Sequence, residues 1–316
     1  MNDRREGALP LQTHVKRYVD ALTDLVFPLD ICCHFCKGSL EKGEGKSPQG
    51  EAGAGLREKE ARWTDYLCGA CIEAMPVISE PSCTRCSIPM YDHKALPGIS
   101  PDSEESFFTI CEDCVRKGDR QLRNLSFVTY DKDLRRQIYR YKYKDQTYLA
   151  RVFALMMKES IGEKPPGQES VDMAAAISGE SPEKSPVYPY DLILSIPLHK
   201  KRQKERGYNQ AHLLAKYLSE ATEIPYEPRG LLRAKETEKM HTLSRKERRE
   251  NLSEAFAFSE EKGKEGISLR EVIRGKRLLI VDDIYTTGTT AESLGHLLKS
   301  GNPESITVIT IARVIL

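Results

Sequence analysis

The sequence has no long hydrophobic run and no excess of charge of either sign. None of its 316 residues belongs to a stretch approaching the ~18 apolar residues of a membrane helix, and the opening MNDRREGALPLQTHVK lacks an apolar signal region. We therefore expect a cytoplasmic protein without membrane insertion. The 48 Lys and Arg nearly balance the 47 Asp and Glu, so anions must be bound by local clusters rather than by the field of the whole molecule.

A repeat of about 20 to 50 residues, which would indicate a solenoid, is also absent. Up to Cys114 the chain is a series of turns with cysteine pairs, and afterwards apolar strands such as 192–196 and 278–281 alternate with helical segments. Continuous apolar strands separated by helices predict a parallel α/β sheet covered on both faces. We predict two domains, a cysteine-rich one at 1–118 with a helix near its N-terminus and an α/β one at 119–316.

Eight of the nine cysteines form four Cys-x-x-Cys pairs: Cys33/Cys36, Cys68/Cys71, Cys83/Cys86 and Cys111/Cys114. Thiols in the cytoplasm are kept reduced, so this abundance indicates metal binding rather than disulfides. Two pairs complete a tetrahedral four-thiolate site. We predict two structural zinc ions, one held by the first two pairs and the other by the last two.

Several alternatives stay open for these cysteines. The pairs could interleave instead of grouping in sequence order, and iron–sulfur clusters use the same ligands. A redox role for Cys-x-x-Cys is the third alternative, although four pairs in one small region argue against it. Cys32 adjoins Cys33 and would replace it as a ligand after a shift of one residue.

The segment RLLIVDDIYTTGTT, from Arg277 to Thr290, joins a buried strand to a helix through two acids and a turn of small residues. Such a turn directs backbone N–H groups, the helix dipole and hydroxyls at one point, which suits a phosphate. The predicted phosphate ligands are Thr286, Thr287, Gly288, Thr289 and Thr290. Asp282 and Asp283 would repel a phosphate, so we expect them to accept hydrogen bonds from a sugar diol. A capped turn without a ligand is the alternative, and internal salt links of the two acids would contradict our interpretation.

Two basic segments complete the candidate site. The run 199–206 contains Lys200 and Arg202 just past a predicted strand end, where open α/β sheets bind ligands. The run 239–251 contains Arg245 and few apolar residues. The alternatives are a solvated helix start or a nucleic-acid phosphate site for the first run, and a charged surface helix for the second.

These motifs together resemble the ComF family. The 277–290 segment is similar to the phosphoribosyltransferase signature, and the other similar segments are LVFP at 25–28, IYRYKYK at 138–144, IPLHKKRQKERGYNQA at 196–211 and TLSRKERREN at 242–251. The resemblance implies a type I phosphoribosyltransferase fold behind a small zinc-ribbon domain. It also implies that 198–202 is a pyrophosphate loop and 239–251 a hood over the site.

By this resemblance the ligand is 5-phosphoribosyl-1-pyrophosphate, or a related nucleotide, bound with Mg²⁺. If the protein is an enzyme, Asp282 and Asp283 hold the diol while Lys200, Arg202 and Arg245 neutralise the leaving pyrophosphate. Thr286 stands where purine-salvage relatives have an acid, so purine salvage is not expected and no general base is evident.

A second, non-catalytic function is implied by the same resemblance. The protein would then assist uptake of single-stranded DNA together with competence-machinery proteins. In that case the basic segments would contact the backbone of the strand, and Tyr208 would stack on a base.

Overall fold

The computed structural model describes residues 32–40, 61–79, 81–90, 110–118, 121–162, 188–234, 255–261 and 266–315. The predicted N-terminal helix and the 239–251 segment with Arg245 lie outside the described residues. The chain forms two compact units, Met1–Ala52 with Thr64–Ala74 and Gly53–Trp63 with Met75–Leu316. Within the described ranges, every helix is too short or too polar to cross a bilayer.

The smaller unit is built around the first cysteine set. Its turn at Cys33 is closed by hydrogen bonds from Cys33 N to Gly38 O (2.8 Å) and from Lys37 N to Cys33 O (2.9 Å). Lys37 has a φ of 68°, which lets the chain reverse within a few residues. The short helix α1 (Gly69–Glu73) begins directly after Cys68.

The larger unit contains the α/β sheet. Its elements, in chain order, are α2 (Glu112–Lys117), β1 (Arg123–Thr129), α3 (Lys132–Tyr143), α4 (Leu149–Ile161), β2 (Leu192–Ser195), α5 (Lys200–Arg206), α6 (Gln210–Thr222), β3 (Leu231–Arg233), β4 (Phe256–Phe258), α7 (Leu269–Val272), β5 (Arg277–Val281), β6 (Ile284–Tyr285), α8 (Thr289–Lys299) and β7 (Ser305–Arg313). A 3₁₀ helix spans Trp63–Tyr66, and its residues after Trp63 belong to the smaller unit. The sheet order is β1-β7-β5-β2, β6 also pairs with β7, and every pair in the sheet is parallel.

The predicted parallel sheet is confirmed, and its strands are buried for the reason given by their sequence. All four residues of β2 and the last four of β5 are buried, as expected for strands covered on both faces. Alternate residues Leu278 and Ile280 share an apolar cluster with α8 and the second cysteine set. Helices α4 and α6 pack on each other, and both contact strands of the sheet.

Two features of the larger unit concern its helices and its cysteines. Between β1 and β2 the chain forms two helices, α3 and α4, because it turns between them at Asp145, which has a φ of 51°. The second cysteine set lies in the larger unit, where its thiols are buried within the core. The predicted domain boundary after residue 118 stays a prediction.

Candidate functional site

The cysteine sulfurs are gathered in two groups of four. In each group the four Sγ atoms lie within 4.8 Å of one another, and the groups are Cys33, Cys36, Cys68 and Cys71, and Cys83, Cys86, Cys111 and Cys114. This is the sequential grouping, with Cys33 rather than Cys32 in the set. Sγ–Sγ distances are 3.6 Å for Cys36–Cys68 and 3.8 Å for Cys83–Cys114. A tetrahedron with Zn–S bonds of ~2.3 Å has edges of about 3.8 Å.

Both groups are built in the same way, from one tight turn and one helix start. Cys68 and Cys111 are the residues immediately before α1 and α2, and both have extended backbone. In the second group Cys83 N donates to Ile88 O (2.8 Å), and Cys111 N donates to Cys83 Sγ (3.3 Å). Amide donors to sulfur favour the thiolate that a metal requires. Each group can therefore hold one structural zinc ion, with no ligand position left for chemistry.

The predicted phosphate loop connects β6 to α8. Gly288 immediately precedes the helix with a φ of 81°, a conformation that only glycine adopts without cost. A Cβ atom at this position would overlap the Tyr285 hydroxyl. The hydroxyls of Thr287 and Thr289 lie 2.6 Å apart. Gly288 is therefore required by both the backbone turn and the side chain beneath it.

Two cations hold the carbonyl groups of this loop. Arg313 Nη1 donates to Thr286 O (2.6 Å) and more weakly to Tyr285 O (3.3 Å), while Lys117 Nζ donates to Thr287 O (2.6 Å). The C=O and N–H of a planar trans peptide point in opposite directions, so the amides of Thr286, Thr287 and Gly288 point away from these cations. Among the described residues, no protein atom accepts a hydrogen bond from any backbone amide of 286–290. Such a set of free amides at a helix start is suited to an anion.

The two acids follow β5 directly. Asp283 N donates to Asp282 Oδ1 (2.9 Å), and Lys142 Nζ lies 2.8 Å from Asp283 Oδ2. Burial, followed by the charge of Asp283, raises the pKa of Asp282 to about 7, against the lowering effects of the Asp283 amide, Lys142 and Arg233. Asp282 is thus a carboxyl group that is only partly ionised near neutral pH.

The Lys142 ion pair bears on the expectation that the acids face a sugar. It is an internal salt link of Asp283, and the two side chains are only 17% and 15% exposed. For Asp283 Oδ2 it therefore contradicts the expectation that the acids bind a sugar diol. Asp282 Oδ1 is taken by the Asp283 amide. Within the described chain, Asp282 Oδ2 and Asp283 Oδ1 keep no protein donor, and one free oxygen from each acid is what a diol or a Mg²⁺ ion requires.

A cavity of about 320 Å³ lies at this edge of the sheet. Four of its lining residues are cationic: Lys142, Arg202, Arg206 and Arg233. Four others are predicted ligands of the sugar or the phosphate: Asp282, Asp283, Thr286 and Thr290. Thr287, Gly288 and Thr289 belong to the loop beside it. Lys200 lines a neighbouring cavity instead. Arg245 is outside the described residues.

Lys142 and Arg233 were not assigned to the ligand site from the sequence, whereas Arg206 ends the predicted basic run 199–206. Lys142 lies in a segment that carries the family resemblance, so that similarity was the available signal. Arg206 donates to Gln210 Oε1 (3.0 Å) and to the Tyr143 hydroxyl (2.7 Å). Arg233 lies on the three-residue strand β3, which has no distinctive pattern in the sequence.

The neighbouring cavity is larger, about 680 Å³, and shares Leu198, Asn209 and Arg233 with the first. Ser195 and His212 line it, and both hydrogen-bond to Tyr226: Ser195 Oγ lies 2.8 Å and His212 Nδ1 lies 2.7 Å from the Tyr226 hydroxyl. Burial, with a smaller effect of Lys216, lowers the pKa of His212. The imidazole is therefore neutral at pH 7.

Part of this chain is similar to a known domain family and to known proteins. Residues 205–315 match the family described as "Phosphoribosyl transferase domain". "Competence protein F" of Haemophilus influenzae is 37% identical over 123 residues, covering 39% of this chain and 50% of that protein. "DNA utilization protein YhgH" of Escherichia coli O157:H7 is 32% identical, covering 39% of this chain and 49% of that protein. These matches span about half the length of both relatives.

A longer match covers most of the chain. "Competence protein ComFC" of Bacillus subtilis is 25% identical over 256 residues, which cover 79% of this chain and 85% of that protein. The similarity therefore extends beyond the phosphoribosyl transferase domain.

Proposed function

Because the chain belongs to the ComF family of phosphoribosyltransferase-domain proteins, we propose that its larger unit binds 5-phosphoribosyl-1-pyrophosphate with Mg²⁺. The observation that carries the proposal is the loop 286–290, whose amides have no acceptor among the described residues, beside a cavity lined by four cationic side chains and two acids. The free amides match the 5-phosphate and the acids match the ribose hydroxyls.

The charges of the cavity also fit this ligand. Arg202, Arg206 and Arg233 can face the pyrophosphate, whose oxygens are strong acceptors for guanidinium groups. Mg²⁺ is usually held by one or two carboxylates together with substrate phosphates, and Asp282 and Asp283 each keep one oxygen for this purpose. Mg²⁺ would neutralise charge on the leaving pyrophosphate.

If the protein is a transferase, a nucleophile forms a bond to C1 of the ribose while the C1–O bond to pyrophosphate breaks. The chain's own contribution would be positioning and stabilisation of charge. The 680 Å³ cavity offers space for an acceptor. The neutral His212 on its wall could take a proton from that acceptor, a group that the sequence had not revealed.

Calorimetry with the phosphoribosyl donor tests the binding proposal. We expect saturable binding that requires Mg²⁺ and is lost in Asp283→Asn, with Asp133→Asn as a control because that acid is exposed and pairs within its own helix. Thermal unfolding gives a second readout, since a ligand at one hundred times its Kd stabilises by ~2.7 kcal/mol. No binding to the wild-type protein would refute the proposal.

Single-stranded DNA binding is the second candidate function, and one surface feature favours it. Tyr139 and Tyr143 are each 52% exposed with ring centroids 5.1 Å apart, and the guanidinium of Arg206 lies 4.8 Å from the Tyr143 ring. Exposed aromatic rings beside cations are what stacked bases and a phosphate backbone require. Tyr208 does not provide such a platform in this structure, because it is half-buried and its hydroxyl donates to Tyr141 O.

The two contributions to DNA binding can be separated by their dependence on salt. Tyr139→Ala and Tyr143→Ala should weaken oligonucleotide binding at every salt concentration without changing the slope of log K against log salt. Charge reversal of Lys200 and Arg202 should reduce that slope, by about 0.7 per lost phosphate contact. Unchanged affinity in the tyrosine variants would contradict the assignment of this surface.

A further inference from the structure

The second cysteine group and the phosphate loop are joined by one short helix. Helix α2 begins immediately after Cys111, contains Cys114 and ends at Lys117. Lys117 Nζ donates to the carbonyl of Thr287 (2.6 Å) and lies 3.5 Å from Glu292 Oε1, in the first turn of α8. The residue that holds the Thr287 carbonyl is thus only three positions from a predicted metal ligand.

The packing around the second group extends to the base of the loop. Its four cysteines share one apolar cluster with Tyr285, Ala291 and Leu294. Gln121 Nε2, just beyond α2, donates to the Tyr285 hydroxyl (3.2 Å). Arg85, between Cys83 and Cys86, donates to Gly118 O (2.8 Å) and so ties the cysteine turn to the end of α2. The loop therefore rests on the cysteine group as well as on the sheet.

Helix α2 needs the metal to hold this position. A helix of six residues is far too short to be stable by itself, and two of the four thiolates are Cys111 and Cys114 at its first turn. Metal binding to all four sulfurs would join this turn to the Cys83–Cys86 turn. Without that link, the hydrogen bond from Arg85 to Gly118 O and the apolar packing of the cysteines would have to fix the backbone from which Lys117 reaches the loop.

We propose that the second four-cysteine group is part of the phosphate-binding device: by fixing α2 it places Lys117 on the Thr287 carbonyl, so metal binding there sets the affinity of the loop for a phosphate group. The inference rests on the proposed function and adds a means of controlling it. Lys117 is a positioning residue. By donating to the Thr287 carbonyl it holds the peptide between Thr287 and Gly288 so that the Gly288 N–H points away from the lysine. Loss of the metal would release that peptide.

Two probes separate this role from a general loss of structure. Ribose 5-phosphate requires the phosphate loop, whereas magnesium pyrophosphate requires only the acids and the basic residues of the cavity. In calorimetry we expect Lys117→Met to weaken ribose 5-phosphate binding by about ten-fold, as for a lost hydrogen bond to a charged group, and to leave magnesium pyrophosphate binding unchanged. Lys117→Arg should restore most of the affinity.

Arg116→Met is the matched control, because Arg116 pairs with Asp113 inside the same helix. Cys114→Ser should reproduce the Lys117→Met effect, whereas Cys71→Ser should not, since every loop partner named above lies in the larger unit. The inference alone would be overturned if wild type and Lys117→Met bound ribose 5-phosphate with equal affinity, or if Lys117→Met weakened the binding of both probes equally. Wild-type protein that does not bind ribose 5-phosphate would overturn the proposed function as well.

Discussion

Replacing Asp282 by asparagine should make the protein more stable while it abolishes ligand binding. The Asp282 carboxyl lies at the end of a buried strand, next to the acid Asp283, and its pKa is raised to about 7 from an ordinary value of 3.8, chiefly by burial. Lys142 and Arg233 oppose this effect without cancelling it. The folded protein therefore holds a negative charge here at a cost that the unfolded chain does not have.

The size of the stability gain follows from the pKa shift of Asp282. Three pKa units correspond to about 4 kcal/mol, and because Asp282 keeps partial contact with solvent we expect about 2 to 4 kcal/mol. Between about pH 4 and 7 the folded state binds the proton more tightly than the unfolded state, so stability falls as the pH rises through this window. The penalty is complete above pH 7. The gain from Asp282→Asn should accordingly be largest above pH 7 and smaller at pH 6.

Thermal unfolding at pH 6 and pH 8, at constant zinc, measures this difference. A change of 1 kcal/mol moves the Tm of a domain of this size by about 2 to 4 °C. Asp283→Asn is an informative control, because it breaks the 2.8 Å ion pair with Lys142 and should destabilise the protein instead. If Asp282→Asn unfolds at or below the wild-type temperature at pH 8, the assignment of a destabilising buried charge is refuted.

Two further predictions concern Lys142 and the cysteines. Lys142→Met should destabilise the protein by about 1 to 3 kcal/mol at pH 8, because Asp283 loses its only close cation among the described residues. The loss should be smaller at pH 6, where Asp282 is protonated more fully. Thermal unfolding measures both values, and Lys132→Met, at an exposed position, is the control. Metal analysis should find two zinc ions per chain, falling to one in Cys33→Ser and in Cys83→Ser, and iron in place of zinc would contradict the ligand assignment.

The parts of the fold that the sequence reveals are those whose pattern has a local cause. Strands β2 and β5 are short apolar runs because both faces are covered, and Cys-x-x-Cys spacing is set by what one turn can present to a metal. Strand β6 has two residues and β3 has three. Elements this short bury too few side chains to leave a periodic signal, so neither was predicted.

The candidate site shows a similar limit. The acids and the Thr-Thr-Gly-Thr-Thr turn were found because they are consecutive in the chain. Lys117 contacts a residue 170 positions away, and Lys142 pairs with an acid on a different element of the fold. With 48 Lys and Arg in the chain, no local feature distinguishes the ones that face the site.

The orientation of the phosphate loop depends on residues that no local motif includes. A glycine-containing turn can present either its amides or its carbonyls to a cavity, and only the amides attract a phosphate. Here Arg313, near the end of the chain, and Lys117, next to the second cysteine group, occupy the carbonyls of three successive peptides. Lys117 precedes the first strand of the sheet and Arg313 lies in the last one, so the orientation of the loop depends on the larger unit as a whole. We therefore expect damage to the second cysteine group to weaken phosphate binding at the loop.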